Sequence, residues 1–554
     1  MPNATPSTFD RTRDLSLRMT GWESVTGTDG EAEFAGKLAE LLREIPYVHA
    51  HPDHLLTLES HGDPARRNVV AVVRGRGRNA VVLAGHFDTV SIDTYGPLAP
   101  LATQPEALRD ALVDTLSAAP TLSAVEARTL ADLKGGDFLP GRGLLDMKSG
   151  LAAAIVALER FAALPERNGT LIFCATPDEE NRSRGMIALR DQLPAIAQTF
   201  DLDIVGAINL DSTSDDEDSG INGQALYLGS VGKFSPFAFV LGRQTHAGYA
   251  FNGVSAHLIA AELMRAMETN SALCDSAHGE TAPAPVCLEA RDMRTGYEVT
   301  TPGRVWLSFN WLAHRRSAAD ILNEFSAIAG TAMTTAIALQ RQHAGRFFAA
   351  RGEPAPSLPE GRVLRVDAVR AMAIARGGEQ AAARLRTAEE NAAALDDPLS
   401  ATRSVVDAMV TEAGIGGPAI VVGFSTLHYP RVHVDAHGRH GMRFAAAVEA
   451  AARAVAERHG TTLTAKPFFA GISDMSFLGH RPDPDEAMRI AANTPCPAFV
   501  DAAKADGLSF PVVNIGPWGR DYHQRWERVH MPYSFAVLPE IIHAAALAAL
   551  GAKG

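Results

Sequence analysis

Five short segments of this chain carry histidine or acidic side chains whose chemistry suits metal binding. In the first, His86 and Asp88 follow the apolar run 80–83 as His-x-Asp. Side chains two positions apart on a strand share a face. An imidazole placed there binds a metal through one ring nitrogen, and the carboxylate accepts the proton on the other. The spacing predicts that His86 is a metal ligand and that Asp88 orients it.

The other four segments each bring one such side chain beside an apolar stretch. They are Asp146 before an apolar helix at 151–164, Glu180 after a strand-like run at 170–176, Asp211 after one at 204–210, and His523 after one at 510–517. Strands that alternate with helices indicate an α/β fold with a mixed, largely parallel sheet flanked by helices. In such sheets the ligand crevice lies beyond the carboxyl ends of the strands. The segments therefore predict one shared site.

These side chains form a nitrogen and oxygen ligand set without thiolates. Such a set suits zinc, with manganese or cobalt as alternatives. A carboxylate that bridges two ions gives the two-metal arrangement of aminopeptidases. Glu179, next to a predicted ligand, is free to take a proton from the attacking water and pass it to the leaving amine. The alternative, that each segment is an ordinary solvated loop, is favoured for one motif alone but not for five in order.

The order of these motifs resembles the co-catalytic zinc hydrolases, the peptidase family of carboxypeptidase G, aminoacylase and the PepT-type tripeptidases. The motifs are His-x-Asp, Gly-Arg-Gly-x-x-Asp-Met-Lys-x-Gly, Asp-Glu-Glu, a later Asp and a late His-x-x-x-Glu. The resemblance covers the chain nearly end to end. It implies that His86 and Asp211 hold one divalent metal and Glu180 and His523 the other, with Asp146 between them.

The resemblance also assigns roles around the metals. It implies that Asp88 orients His86, that Glu179 is the general base, and that the peptide bond after Asp146 is cis. His523 is preferred to His530 as the last ligand, because a Glu follows it four residues on and a Gly-Pro turn precedes it. His530 is assigned to a loop, and Asp474 to a structural role.

Three further sequence segments narrow the resemblance to the RocB-type, arginine-utilization branch of the family. Tyr95-Gly96, Asn209-Leu210-Asp211 and Gly516-Pro517-Trp518-Gly519 carry it. This branch implies a link to amino-acid catabolism without fixing a substrate.

Motif positions predict a catalytic domain in two parts, 1–221 and 438–554, with an inserted α+β lid at 222–437. The acidic run 215–220 is predicted to be a solvated loop at the seam. The family's lid is a small sheet with helices on one face, and family members commonly dimerise through it. Helical spacing at 367–413 predicts a packed helical extension.

In the lid, His246 matches the family's Gly-x-x-x-His-x-Gly, whose histidine reaches the substrate. The alternative is a histidine at the end of a strand that is bonded to a turn.

Composition agrees with an enzyme outside membranes. The chain has 554 residues, which predicts two or three domains. The formal net charge of −13 argues against nucleic acid and anionic membrane surfaces as partners. No apolar run is expected to be long enough for a membrane span, and the start lacks a signal-peptide pattern. Four cysteines without Cys-x-x-Cys spacing are expected to be reduced thiols in a cytoplasmic protein.

Together these features predict a homodimeric, two-metal hydrolase that cleaves a peptide-type amide bond of a small amino-acid-derived substrate. Removal of an N-acyl or N-formyl group on the same site is the first alternative. A non-catalytic metal-binding protein is the second, although such a protein has no need of a general base such as Glu179.

Overall fold

The structure is a computed structural model. It describes residues 6–214, 224–395, 397–501, 504 and 507–551. The acidic run 215–220 and the predicted start of the lid at 222 lie outside the described residues.

The helices of the described residues are numbered in chain order. They are α1 (Thr8–Thr20), α2 (Asp29–Arg43), α3 (Pro46–Ala50), α4 (Pro105–Ala118), α5 (Ala124–Gly135), α6 (Ser149–Ala162), α7 (Arg184–Thr199), α8 (Ala256–Met267), α9 (Ala318–Ala349), α10 (Val366–Ala393), α11 (Pro398–Ala413), α12 (Gly438–Arg458), α13 (Pro484–Asn493) and α14 (Leu538–Gly551).

The strands are numbered in the same way. They are β1 (Leu55–His61), β2 (Arg66–Val73), β3 (Arg76–His86), β4 (Phe138–Pro140), β5 (Asn168–Thr176), β6 (Asp203–Asn209), β7 (Thr213–Ser214), β8 (Ala225–Tyr227), β9 (Gly229–Ser230), β10 (Gly232–Phe234), β11 (Pro236–Leu241), β12 (Ser276–Ala277), β13 (Glu280–Thr281), β14 (Val286–Asp292), β15 (Arg304–Ala313), β16 (Arg362–Arg365), β17 (Ala419–Phe424), β18 (Val432–His433), β19 (Thr464–Lys466), β20 (Val512–Asn514), β21 (Trp518–Arg520) and β22 (Arg528–His530).

The chain divides into two compact units. The first takes the described residues of Met1–Ser230, Val432–Arg481 and Ala503–Gly554, and the second those of Val231–Arg431 and Pro482–Ala502. The second unit thus includes a stretch around α13 that the motif positions assigned to the catalytic domain. The predicted boundaries themselves stay a prediction.

The first unit is built on an eight-stranded mixed sheet in the order β1-β2-β5-β3-β6-β20-β8-β19. The neighbours β5, β3, β6 and β20 run parallel. Their apolar runs are buried on both faces, as in β3 from Ala80 to Ala84, which explains why they read as continuous rather than alternating apolar stretches. The predicted α/β class with a largely parallel sheet flanked by helices is confirmed.

Helices α6 and α14 pack in the large apolar core of this unit, against β3 and β5. The segment Pro532–Gly551 is long and apolar enough to cross a membrane, with mean hydropathy 1.6. The expectation that no run approaches a span was therefore wrong by composition. Of its most apolar window 61 % is buried inside the protein, as expected of a core helix, so its apolar surface is used in packing.

A smaller four-stranded sheet of the first unit has the order β4-β22-β21-β7. His523 lies in the loop that connects the antiparallel strands β21 and β22. The last predicted ligand therefore belongs to a hairpin of this smaller sheet and does not follow a strand of the eight-stranded sheet. His530, assigned from the sequence to a loop, is in β22. It pairs in register with Phe138 of β4, and its ring packs against Phe138 and Trp518, with ring centroids at 5.0 and 4.8 Å.

The second unit has a sheet in the order β10-β15-β11-β17-β16, with β14 beside β15. Both faces of this sheet are covered, which corrects the expectation of helices on one face. In β11, Ala238 and Val240 pack with α8 and α9, whereas Phe237, Phe239 and Leu241 pack with α10 and α11. Because alternate residues of a strand point to opposite faces, an entirely apolar β11 requires two helical layers.

Candidate metal centre

The predicted ligands gather at one edge of the eight-stranded sheet. His86 ends β3 and pairs in register with Thr176 at the end of β5, two residues before Asp178. Ala84 pairs with Asn209 at the end of β6, so Asp211 follows at the same edge. The carboxyl ends of parallel neighbours bring these chain exits together, as expected for a ligand crevice.

Asp146 stands between the two histidines. Its Oδ1 lies 3.3 Å from His86 Nε2, and its Oδ2 lies 3.0 Å from His523 Nε2. It sits in the turn Leu144–Lys148 before α6, where its backbone is not helical, and the Asp146–Met147 peptide bond is cis, as the resemblance implies. One carboxylate thus faces one imidazole with each oxygen, which is the arrangement a bridging ligand needs.

The remaining two predicted ligands complete the cluster. Glu180 Oε1 lies 3.1 Å from His523 Nε2, and Asp211 Oδ1 lies 3.8 Å from His86 Nε2. Asn514, on β20, holds Asp211 in place, because its side chain accepts from the backbone N–H of Asp211 at 3.0 Å and donates to the carbonyl oxygen at 2.9 Å. The structure brings all five predicted ligands together.

Asp88 organises the turn that carries Glu179 and Glu180. Its carboxylate accepts hydrogen bonds from the backbone N–H groups of Glu179 at 3.0 Å and Glu180 at 3.2 Å, and from Thr26 Oγ1 at 2.8 Å. Its Oδ1 is 3.5 Å from Nδ1 of His86, whose ring also meets the Asp88 carbonyl oxygen at 3.1 Å. Asp88 therefore connects His86 to the acidic turn, a larger role than orienting the imidazole.

Arg142 and Glu527 hold the His523 loop against the Gly-Arg-Gly turn. Both are buried and pair with each other. The Arg142 guanidinium also donates to the backbone carbonyl of His523 at 3.3 Å, and Glu527 accepts from the N–H of Gly143 at 3.0 Å. The sequence assigned no role to Arg142, and Glu527, the late Glu of the His-x-x-x-Glu motif, is its partner.

The pKa values of the cluster reflect crowded carboxylates. Burial would raise the pKa of Asp146, but hydrogen bonds with His523 and His86 outweigh burial and hold it well below its usual range. Burial would lower the pKa of His523, yet contact with Asp146 and Glu180 raises it to about 11. Burial, with the nearby charges of Asp211 and Glu180, raises the pKa of Glu179 well above its ordinary value. The pKa of His86 is also raised, because contacts with Asp146, Asp211 and Asp88 outweigh the effect of burial.

This arrangement fits divalent cations. Donor atoms of His86, Asp146 and Glu180 lie within 4.8 Å of one another. A divalent cation would offset the mutual repulsion of these carboxylates, and metal ligation requires both histidines to be neutral. Imidazole and carboxylate donors without thiolates suit zinc, manganese or cobalt. The residues therefore fit the group that the motifs predicted.

Two other predicted residues have distinct surroundings. Asp474 is buried and accepts from Thr176 Oγ1 at 3.1 Å, and burial raises its pKa to about 7, in keeping with a structural role. His246, in the second unit, is exposed, and its Nδ1 accepts from the N–H of Gly248 at 3.0 Å. These contacts match the alternative, in which the histidine is bonded to a turn. The proposed action of His246 on the substrate stays a prediction.

Comparison with known proteins identifies the family. The profile described as peptidase family M20/M25/M40 matches residues 113–498. The chain belongs to this peptidase family. It is accordingly a metallohydrolase, and the family predicted from the motifs is confirmed. The matched range includes Asp146, Glu180 and Asp211, whereas His86 and His523 lie outside it. The match concerns the family, so the ligand role of each of the five residues stays a prediction.

Full-length relatives agree with this membership. This M20 chain is 31 % identical over 541 residues to the uncharacterized protein YqjN of Bacillus subtilis, with 97 % of this chain and 95 % of YqjN covered. It is 27 % identical over 546 residues to protein RocB of the same organism, with 96 % and 94 % covered. The predicted closeness to the RocB type is confirmed.

A solved structure shows the same fold. The tripeptidase of Staphylococcus aureus superposes with a TM-score of 0.52 at 15 % identity, and the match covers 98 % of each chain. At this identity the likeness concerns the fold alone.

Proposed function

We propose that this M20 family member hydrolyses a peptide-type amide bond in a small amino-acid-derived substrate. The proposal assigns two divalent metal ions, zinc in the native enzyme, to His86, Asp146, Glu180, Asp211 and His523. It assigns the general base to Glu179. RocB-type closeness supports a substrate from amino-acid catabolism, such as arginine utilization, and the chain is proposed to act in the cytoplasm.

One observation carries this proposal: two adjacent glutamates on one turn have different surroundings. Glu180 contacts His523 directly, at 3.1 Å, as a ligand would. Burial raises the pKa of both glutamates, and at Glu180 the hydrogen bond with His523 opposes the rise, whereas at Glu179 only the charge of His86 does. A carboxylate that lies beside a metal site without being a ligand suits proton transfer. The fixed turn, bound to Asp88 at both backbone N–H groups, keeps the two roles separate.

The chemistry follows from these positions. Two bound divalent ions supply Lewis acidity to the scissile carbonyl and lower the pKa of the attacking water. Glu179 accepts the proton from that water as it attacks the carbonyl carbon. The same carboxyl group then donates the proton to the leaving amine nitrogen as the C–N bond breaks. Asp88 maintains the position of Glu179 throughout, because its hydrogen bonds hold the backbone of the turn.

The test compares Glu179→Gln with Glu180→Gln, two isosteric changes one residue apart. Glu179→Gln is expected to keep the metal content and lower turnover by about 10²–10⁴-fold, the range for loss of a general acid or base. Glu180→Gln is expected to lower metal occupancy. Elemental analysis and turnover on the best substrate measure both. The opposite result would exchange the two roles, and unchanged turnover in both variants would contradict the proposal.

A substrate panel decides between the hydrolase classes. Dipeptides, N-acyl amino acids and N-formyl amino acids are offered to the metal-loaded protein. Peptide cleavage supports the proposal as stated, whereas cleavage confined to N-acyl or N-formyl compounds assigns the deacylase alternative to the same site. Tight metal binding without hydrolysis of any compound would favour the non-catalytic alternative.

We also propose that the chain forms a homodimer through the lid and that His246 acts on the substrate. The exposure of His246 and its position in a Gly-x-x-x-His-x-Gly turn support a contact outside its own fold. A neutral or cationic imidazole near the scissile carbonyl would stabilise developing negative charge.

A further inference from the structure

The loop that presents His523 has an unusual backbone. Asp521 and His523 both have positive φ angles, 54° and 63°. Non-glycine residues rarely adopt this region, and they keep it only where surrounding contacts enforce it. His523 is also more open to solvent than the other proposed ligands, with 42 % of its side chain exposed. Its position therefore depends on what fixes this loop.

Arg528 fixes both ends of the loop. Its side chain is completely buried. One guanidinium nitrogen, Nη1, donates to the carboxylate of Asp521 at the start of the loop and to the carbonyl oxygen of Trp526, at 2.8 Å, near its end. Arg128 adds a longer contact to the other oxygen of Asp521, at 3.4 Å. Asp521 is thus held in its unusual conformation through its side chain.

Arg528 is itself held by Asp132, which comes from a distant part of the sequence. Asp132 Oδ2 accepts from Arg528 Nε at 2.8 Å and Nη2 at 2.6 Å. Both oxygens of Asp132 also accept from Arg520 Nη1 at 2.8 Å. Asp132 lies on α5, one of two helices inserted between the His-x-Asp and Gly-Arg-Gly motifs. One carboxylate of this insertion thus binds the arginines at both strands that flank the loop.

We propose that Asp132 is a positioning residue for His523 and acts through Arg528 and Asp521. The inserted helices then have a function: they set the affinity of the metal ion that His523 binds. A planar guanidinium with several fixed donors suits this relay, because it binds two carboxylates in defined directions at once. The inference rests on the proposed metal site.

Loss of Asp132 has a specific consequence. It leaves the buried guanidinium of Arg528 without its main partner, and a buried charge that loses its partner moves or draws in water. Arg528 then no longer fixes Asp521, and the loop relaxes from its positive φ angles. Only one predicted ligand, His523, belongs to this loop. The effect should therefore fall on one of the two metal ions.

The test is a cobalt titration of the full-length metal-free protein, followed by absorption spectroscopy. Wild type is expected to bind two Co²⁺ ions. Asp132→Ala is expected to bind one ion as tightly as wild type and the other about 10–100-fold more weakly, the usual effect of losing a partner behind a ligand. Arg528→Lys keeps the charge but loses the planar fork, and it should weaken the same ion. Asp132→Asn serves as the milder variant if Asp132→Ala does not fold.

Ser123→Ala is the matched control. It removes the N-terminal cap of the same helix, α5, where Ser123 and Glu126 form a capping box, but leaves Asp132 in place. Equal weakening by Ser123→Ala would assign the effect to helix stability and overturn the inference. If every Asp132 and Arg528 variant binds two ions as tightly as wild type, the inference about Asp132 is overturned and the proposed function is unaffected. A wild type that binds no cobalt would contradict the proposed function, and this inference with it.

Discussion

Asp146 is the residue on which both halves of the candidate site depend. Each of its carboxylate oxygens faces a different imidazole, at 3.3 and 3.0 Å. His86 is almost completely buried at the end of β3, whereas the side chain of His523 is 42 % exposed in a loop. The two proposed metal positions should therefore differ in how firmly the protein holds them, while Asp146 is the proposed ligand of both.

Asp146→Ala is expected to abolish binding of both metal ions together. Asp211→Ala, in contrast, removes a ligand of one proposed position only and should leave one ion bound. Elemental analysis after loading with zinc measures the stoichiometry, and circular dichroism checks the fold. An Asp146→Ala protein that retains one tightly bound ion would show that this carboxylate is not a bridge.

At the scale of elements, helix α6 follows the turn that contains Asp146 and packs close to the end of β6. A Cβ atom added at Gly150 would lie 2.5 Å from the backbone carbonyl oxygen of Leu210 and 3.1 Å from Met147 Cε. Leu210 precedes Asp211 directly. The helix therefore approaches the chain of the fourth predicted ligand as closely as backbone atoms allow.

Gly150→Ala is expected to lower the free energy of unfolding by about 1–3 kcal/mol, the typical cost of overpacking. Gly36→Ala is the matched control, because nothing lies within 4 Å of a Cβ at that helical position. It should raise stability by about 0.5–1 kcal/mol, the benefit of alanine over glycine in a helix. Thermal unfolding measures both. Equal shifts in the two variants would contradict the close approach at Gly150.

The sequence predicted the elements and ligands that local patterns encode. Apolar runs that end in His or acidic residues identified β3, β5 and β6, and motif order identified the family. Contacts between distant segments had no local signal: nothing near Asp132 indicates that it binds Arg528, and nothing near Asn514 indicates that it holds Asp211. The helical extension at 367–413 was predicted and corresponds to α10 and α11, but its packing on the second face of β11 was not, because helical spacing does not show which surface a helix covers.

At the scale of the whole molecule, net charge bears on which partners the protein can bind and on whether it can self-associate. The formal net charge of −13 favours solubility and disfavours polyanionic partners. It does not prevent self-association through neutral or apolar surfaces. Exposed side chains of this kind in the second unit include Tyr249, which is 67 % exposed, and Tyr297, which is 94 % exposed.

The dimer proposal has a direct test. Light scattering across micromolar concentrations is expected to give twice the chain mass of 58.9 kDa. His246→Ala should lower turnover without changing the metal content, because the proposed role of His246 is toward the substrate. A mass of one chain at every concentration would contradict the dimer and any action of His246 on a neighbouring subunit.

The position of β20 has a consequence for how the protein is made. This strand lies between β6 and β8 in the eight-stranded sheet, yet it is synthesised after the whole second unit. His523 and α14 follow it. Until β20 and the segment after it have been made, a nascent chain on the ribosome leaves β6 without this neighbour and lacks the proposed ligand His523. The proposed hydrolysis should therefore begin only after the His523 segment has left the ribosome, and the exposed edge of β6 is until then a place where chaperones would bind.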